Sequence, residues 1–356
     1  MTPEQAKPVI HGDFSPPFGF SGLHVDPEAV QRTIAYNESH QTGDLFDTPE
    51  GKSRRLLELR LLQNYIVNTS QTLASCHNDE VRHAWSVEVP QLALQYDNLL
   101  YEIFAISSLH LLTVDPQNPE LIAARQNYLG LSLREHRRAI TTLSSESAEA
   151  ICFASSLILI DAFASLQDRI LEPYMPPMEW LMMARGAGSV FDVALNAINN
   201  FQNAKILVVV QAHPYVHDRN VIFSEHNRQE LLGLLGPEIP GEIWDAETQE
   251  TYEMTLSYIG GVQIAIDSGE HVMGICRRMM AFATLIPKKF VDFVQEMRPR
   301  ALAVLAHFFA LAASMVDIWW IGSTVQREIL GIQQVLPLEW QGMIQMPVTL
   351  AGLTPL

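Results

Sequence analysis

The stretch from residue 147 to 167 is almost entirely apolar, and it is the feature that most constrains the fold. It contains the run SSLILIDAFASL, which shows no polar side along a 3.6-residue period. A helix that is hydrophobic all round must be covered by other elements on every side. No uninterrupted apolar segment reaches the ~20 residues that a membrane span needs. We therefore expect no membrane span, and a cover made by the protein itself.

Helical patterns fill the chain from Ser53 onward. Pro90 is expected to open a helix that runs to Leu112, and Asn118-Pro119 to start another. The run ILVVVQAH fits a strand or a helix, and a helix is favoured because a lone strand would have no partner. The sequence has no alternating strand–helix pattern, no Gly-rich phosphate loop and no fixed repeat. It predicts an all-α fold: one large helical bundle over 51–356, after an extended Pro- and Gly-rich leader at 1–50.

The net charge limits which molecules the protein can bind, and the cysteine content indicates its cellular compartment. The formal net charge of -17 argues against a nucleic-acid surface, because phosphate contacts need clustered Lys and Arg. An anionic substrate such as a diphosphate would need local cations or a bound metal to enter such a protein. The three cysteines follow no CxxC pattern, which excludes a zinc cluster built from them and favours reduced thiols in the cytoplasm. The oligomeric state stays open.

Carboxylates in apolar segments are the candidate metal ligands. Asp161 lies in a run without a polar side, and Glu102 lies in an otherwise apolar helix. Mg²⁺ prefers carboxylate oxygens, so Asp161, Glu102, Asp97 and Asp168 are candidate ligands drawn from separate helices. The alternatives are a buried hydrogen-bonding role for Asp161 and an outward-facing side chain for Glu102. No DDxxD motif is present.

Cationic and aromatic side chains are the candidate substrate contacts. Lys288 and Lys289 follow a proline and are expected in the first turn of a helix, where backbone N–H groups and the helix dipole also favour an anion. Arg277 is a second candidate for a phosphate contact, and solvated surface positions are the alternative for all three. Trp319 and Trp320 are expected either to line a pocket or to pack in the core.

Five segments resemble the regulatory domain of fungal zinc-cluster transcription factors of the sterol-uptake-control type. Together they span most of the chain from residue 55 to 347, in the order that the family shows. They are YDNLLYEIFAISSLHL at Tyr96–Leu111, ASSLILIDAFAS at 154–165, RPRALAVLAHFFAL at 298–311, WWIG at 319–322 and LPLEWQGMIQMP at 336–347. The resemblance implies a helical bundle around an apolar pocket that holds a sterol or a similar lipid.

A narrower resemblance concerns the segment ATLIPKKF at 283–290, which is similar to one in fungal humulene synthases of tropolone-sesquiterpenoid biosynthesis. It implies a class I-type sesquiterpene cyclase that uses Mg²⁺, expected as two ions, to convert farnesyl diphosphate to humulene. In that family the lysine matching Lys289 serves the diphosphate, and the position of Leu285 influences product geometry. The alternative function is a lipid- or sterol-binding regulatory module without catalysis.

Overall fold

The computed structural model describes residues 51–212, 218–236 and 242–354, and its regular elements there are all helical. This confirms the all-α prediction. The predicted leader at 1–50 lies outside the described residues, so the boundary at residue 50 stays a prediction. The longer α-helices are α1 Lys52–Val67, α2 Asp97–Leu112, α3 Pro119–Thr141, α4 Ala148–Ala164, α5 Met178–Ala197, α6 Ala246–Asp267, α7 Val272–Leu285, α8 Lys288–Gln295, α9 Pro299–Ala310 and α10 Thr324–Val335.

Local sequence signals set several helix starts. Asn118 Oδ1 accepts a hydrogen bond from the Leu121 N–H, and Pro119 is the first residue of α3. Asp245 Oδ1 accepts from the Thr248 N–H at the start of α6. A side-chain acceptor at this position satisfies a backbone donor that the helix itself leaves unpaired. These caps fix where α3 and α6 enter the bundle.

Of two sequence predictions about helices, the structure contradicts one and agrees with the other. The helix expected to run unbroken from Pro90 to Leu112 is interrupted: Val89–Ala93 is a short helix, and α2 starts at Asp97 after a turn. Two consecutive hydrogen bonds of the turn type, from the N–H of Gln95 and of Tyr96, end the first piece. The ambiguous ILVVV run is helical at Leu207–Gln211, as the lack of a strand partner suggested.

Helix α4 is the buried centre of the bundle. Nearly all its side chains are buried, and α2, α3 and α5 pack around it. In the described part of the chain, Ala148–Gln167 is the one helical stretch long and apolar enough to cross a membrane. Most of this stretch is covered by the protein, as the central helix of a folded domain is, so it is weak evidence for a span.

An aromatic cluster joins α4 to the second half of the chain. Trp180 of α5 stacks on Phe308 of α9 with ring centroids 5.7 Å apart, and its edge meets Phe163 of α4 at 5.3 Å. Phe282 of α7 stacks on Phe308 at 3.8 Å. Aromatic pairs at these separations stabilise a core beyond the area they bury. One apolar core extends in this way from Leu61 to Ala351.

Gly260 in α6 provides a test of this packing. A Cβ atom on Gly260 would lie 1.9 Å from the Asn227 carbonyl oxygen, a backbone atom that cannot turn away. We expect Gly260→Ala to lower the free energy of unfolding by about 1–3 kcal/mol through this overlap. Gly186→Ala, in α5 with open space around it, should raise it by up to about 1 kcal/mol through helix propensity. Urea denaturation measures both, and equal effects of the two variants would contradict the packing described.

Candidate functional site

Two polar sites stand out in the apolar bundle, and the first is a cluster between α2, α3 and α4. Glu102 of α2 and Asp161 of α4 are buried, with 0% and 3% of their surface exposed. Arg125 of α3 donates from Nη2 to Asp161 Oδ1 at 2.5 Å and to Ser165 Oγ at 3.3 Å. Ser132, also of α3, lies beside Glu102, with Oγ 2.6 Å from Glu102 Oε2. We call these five side chains the carboxylate cluster.

Glu102 holds a proton at neutral pH. Burial, and next the charge of Asp161, raise the pKa of Glu102 from 4.5 to about 8. The hydrogen bonds agree with this, because Ser132 Oγ faces two oxygens, Glu102 Oε2 and the Asn98 carbonyl at 3.2 Å. One hydroxyl hydrogen cannot donate to both. Protonated Glu102 therefore donates to Ser132, and Ser132 donates to Asn98.

Asp161 pairs with Arg125. Burial raises the pKa of Asp161, and the guanidinium of Arg125 opposes this rise by charge and by hydrogen bond. Glu102 Oε1, Asp161 Oδ2 and Arg125 Nη1 are each buried without a hydrogen-bond partner. The cluster thus contains one ion pair and one neutral acid, which is the arrangement that a site of low dielectric favours.

The structure brings together only two of the four predicted metal ligands. Glu102 and Asp161 interact inside the cluster, whereas Asp97 and Asp168 are exposed at helix ends. Among the residues that the structure describes, no group of three or more His, Cys, Asp or Glu side chains is placed to hold a metal ion. Binding of Mg²⁺ by these carboxylates stays a prediction.

Lys289 lies in a different environment from the carboxylate cluster. It is half-buried in the first turn of α8, as expected, and its Nζ lies 2.6 Å from Glu247 Oε2 and 3.8 Å from Asp245 Oδ1. The Phe293 ring lies beneath its ammonium group at 5.8 Å. The start of α6 therefore supplies counter-charges to this lysine.

The other predicted substrate contacts, Lys288, Leu285 and Arg277, lie in environments different from that of Lys289. Lys288 is the first residue of α8, and Leu285, the last residue of α7, packs partly buried against the core. Arg277 of α7 is half-buried, and desolvation lowers the pKa of its guanidinium. Among the described residues, no contact joins Lys289 or Arg277 to the carboxylate cluster.

The second polar site is a pocket of about 430 Å³ between the ends of α1 and α2. Its lining includes no charged side chain. It consists of Asn64, Val67, Asn68, Gln71, Thr72, His110, Leu111 and Val114. The pocket is open to solvent, and its volume lies within the range of small-molecule sites. We call it the α1–α2 pocket.

Trp319 and Trp320, for which the sequence left a pocket wall and the core open, both lie outside the lining and contact its residues from behind. Trp319 stacks on His110 with ring centroids 4.5 Å apart, and its Nε1 donates to Thr72 Oγ1 at 2.8 Å. Trp320 is fully buried and donates from Nε1 to the Thr72 carbonyl at 3.0 Å. Both indoles thereby tie the segment around residue 320 to the turn that follows α1.

Comparison with known proteins identifies the family to which this helical bundle belongs. Residues 60–193 match the fungal-specific transcription factor domain. The chain is 33% identical to the Zn(2)-C6 fungal-type transcription factor afumD of Aspergillus fumigatus over 286 residues, which cover 80% of this chain and 75% of that protein.

The chain belongs to the fungal-specific transcription factor family.

More distant relatives include a Zn(2)-C6 fungal-type transcription factor of Gibberella zeae, 27% identical over 84% of this chain. Sterol uptake control protein 2 of Candida albicans is 18% identical over 80% of the chain. The matched regions span 62% and 40% of those two proteins, respectively. The resemblance to sterol-uptake-control regulators is therefore confirmed at the level of homology.

The prediction of an enzyme is wrong. The matched family and its nearer relatives above are named as transcription factors and not as terpene synthases. This overturns a Mg²⁺-dependent sesquiterpene cyclase that converts farnesyl diphosphate to humulene. The acids and the lysine that suggested it have partners within this transcription factor domain: Asp161 pairs with Arg125, and Lys289 with Glu247.

Sequence reasoning missed several members of both sites. Arg125 and Ser132 lie seven residues apart on one side of α3, a spacing that was available as a signal. His136, one turn after Ser132 on α3, borders the carboxylate cluster through contacts with Asn98 and Ser155, and burial lowers its pKa to about 4. Asn64 lines the α1–α2 pocket and Thr69 lies behind it, and their partners Ser107 and His110 are about 40 positions away, so the sequence gives no signal for either.

The proton on Glu102 predicts a pH dependence of stability. Because its pKa is raised in the folded state, the stabilisation by this proton is fully present below pH 4.5 and is lost as pH rises through about 8. From roughly pH 6.5 to 8, the free energy of unfolding should fall by at most about 2 kcal/mol. Glu102→Gln keeps a hydrogen-bond donor to Ser132 and should flatten this slope.

Urea denaturation at several pH values measures the slope. The exposed Glu80→Gln variant is the matched control and should keep the wild-type pH dependence. A Glu102→Gln variant with the same slope as wild type would show that another group titrates in this range.

Proposed function

We propose that this chain is a regulatory module that binds a small, neutral, mainly apolar molecule of the lipid or sterol class. In this proposal the bound molecule controls transcription, and the module performs no catalysis. The family membership supports the regulatory role. The name of the sterol uptake control relatives supports the ligand class.

The observation that carries the proposal is the uncharged α1–α2 pocket in a strongly acidic protein. With a net charge of -17, the protein repels anions in general. The pocket offers no Lys or Arg that would offset this repulsion, and no carboxylate that would pair with a cation. Val67, Leu111 and Val114 give it apolar walls. A neutral apolar molecule is therefore the ligand that it favours.

This function also changes the expected location. A module that controls transcription acts in the nucleus, in place of the cytoplasm suggested by the cysteine content. The prediction that this chain presents no nucleic-acid surface of its own stays a prediction. Its acidic balance supports a role in sensing, with DNA contact made elsewhere in the regulatory system.

A charge placed at the pocket mouth should abolish ligand binding. Val114 is 83% exposed, so Val114→Arg leaves the fold intact while it puts a cation beside the apolar ligand. We expect cholesterol, delivered from cyclodextrin, to raise the melting temperature of the wild type and not that of Val114→Arg. Val193→Arg, exposed on α5 and absent from the pocket lining, is the matched control and should respond like wild type.

The tryptophan behind the pocket gives a second readout. Cholesterol should change the fluorescence of the wild type, and most of this change should be lost in Trp319→Phe, because Trp319 stacks on the pocket residue His110. The failure of cholesterol and other neutral lipids to alter either signal would overturn the proposed ligand class. The regulatory role is tested separately: the full chain fused to a foreign DNA-binding domain should change reporter output when sterol is depleted.

A further inference from the structure

The α1–α2 pocket contains a hydrogen-bond donor whose orientation is fixed by buried groups. His110 stands in the last turn of α2, with one ring face against Trp319. Its Nδ1 lies 2.9 Å from Thr69 Oγ1, and Thr69 is fully buried. The ring is therefore held from two directions, and which nitrogen carries the hydrogen depends on Thr69.

The hydrogen bonds around Asn64 decide the direction of the Thr69 contact. Asn64 Nδ2 donates to Ser107 Oγ at 3.0 Å and to Thr69 Oγ1 at 3.2 Å. Ser107 Oγ in turn donates to the Leu61 carbonyl at 2.7 Å. Both amide hydrogens of Asn64 are thus used, and its Oδ1 accepts from Asn68 Nδ2 at 2.9 Å.

Thr69 must donate to His110. Its oxygen already accepts from Asn64, and if His110 Nδ1 also donated to it, the buried Thr69 hydrogen would have no acceptor in the described structure. An unpaired buried donor is unfavourable by about 1–3 kcal/mol, which decides the assignment. Nδ1 is therefore the acceptor, and Nε2 carries the hydrogen. Desolvation also lowers the pKa of His110 to about 4, so the ring is neutral at pH 7.

His110 lines the pocket, and its Nε2–H is the ring group that Thr69 does not contact. Among the described residues it has no hydrogen-bond partner, and it is absent from the polar atoms that are sealed from solvent. Exposed side chains at the pocket mouth supply acceptors that complement this N–H donor. Asn68 and Gln71 use their amide N–H groups on Asn64 and Ser70, which leaves their side-chain carbonyls as acceptors.

We propose that His110 is the specificity-determining residue of the α1–α2 pocket and that it selects a neutral alcohol. The ligand's hydroxyl oxygen accepts from His110 Nε2–H, its hydroxyl hydrogen is within the reach of an amide carbonyl at the mouth, and its apolar body lies on Val67, Leu111 and Val114. This inference rests on the proposed function, because it concerns the same pocket. It adds the polar group that the ligand must have.

Three probes with one skeleton test the selection. They are cholesterol, 5-cholestene, which has hydrogen in place of the hydroxyl, and cholesteryl hemisuccinate, which ends in a carboxylate. We expect cholesterol to bind about five- to tenfold more tightly than 5-cholestene, the effect of one neutral hydrogen bond. The hemisuccinate should bind more weakly than cholesterol, because its carboxylate meets no cation in the pocket.

Variants separate the hydrogen bond from the shape of the pocket. His110→Phe keeps an aromatic ring on Trp319 and should weaken cholesterol about five- to tenfold while it leaves 5-cholestene unchanged. His110→Gln restores an N–H donor and should recover part of the loss. Thr69→Val removes the group that fixes the ring, and ¹⁵N NMR of His110 should then show both neutral tautomers in place of the Nε2–H form alone.

The outcomes distinguish this inference from the proposed function. If cholesterol and 5-cholestene bind the wild type equally, or if His110→Phe weakens both equally, the selection by His110 is overturned while lipid binding stands. If none of the probes binds, the proposed ligand class fails first. Binding that persists unchanged in Val114→Arg would place the ligand outside the α1–α2 pocket and overturn the inference as well.

Discussion

The rest of the bundle depends on the complete burial of α4. A helix without a polar side cannot lie at a surface, so α2, α3 and α5 must pack around it and the aromatic cluster must close its far end. The single charge that α4 brings into this centre, on Asp161, would be strongly unfavourable alone. Arg125 removes that cost by reaching in from α3, which also fixes the register of α3 against α4. This ion pair therefore helps to determine how α3 packs against α4.

The two polar sites avoid unpaired charge in related ways. In the carboxylate cluster, a second acid is buried beside the ion pair and takes up a proton. In the α1–α2 pocket, the half-buried histidine stays neutral, and an amide–hydroxyl chain determines which of its nitrogens donates. In both places the low dielectric selects the neutral form, and a neighbouring hydroxyl then orients it. Glu102 and His110 are therefore both uncharged, and hydrogen bonds with neighbouring hydroxyl groups fix their orientation.

The fold was predictable from the sequence to a large extent, and the sites only in part. The apolar run of α4 and the Asn118-Pro119 start of α3 depend on local pattern, which the sequence displays. The burial of Asp161 was expected from its apolar neighbours, whereas the sequence left an outward-facing Glu102 open. Arg125, the partner of Asp161, lies 36 positions away, and nothing in the sequence connects the two. The enzyme prediction failed for the same reason: acids in apolar helices fit a metal site or an internal ion pair equally well until the partner is known. Lys289 likewise resembles an anion site until α6 supplies Glu247.

The contact between Trp319 and Thr72 joins residues that are 247 positions apart. During synthesis the chain emerges from its N-terminal end, so α1, the following turn and α2 are present long before Trp319 is made. The wall behind His110 is then incomplete, and the imidazole lacks the ring that holds it. If the pocket binds a ligand as proposed, the complete wall forms only after Trp319 has been synthesised. A translation product that ended at residue 318 would contain every lining residue of the pocket, from Asn64 to Val114, but would lack the ring that holds His110, so we expect it not to bind the proposed ligand.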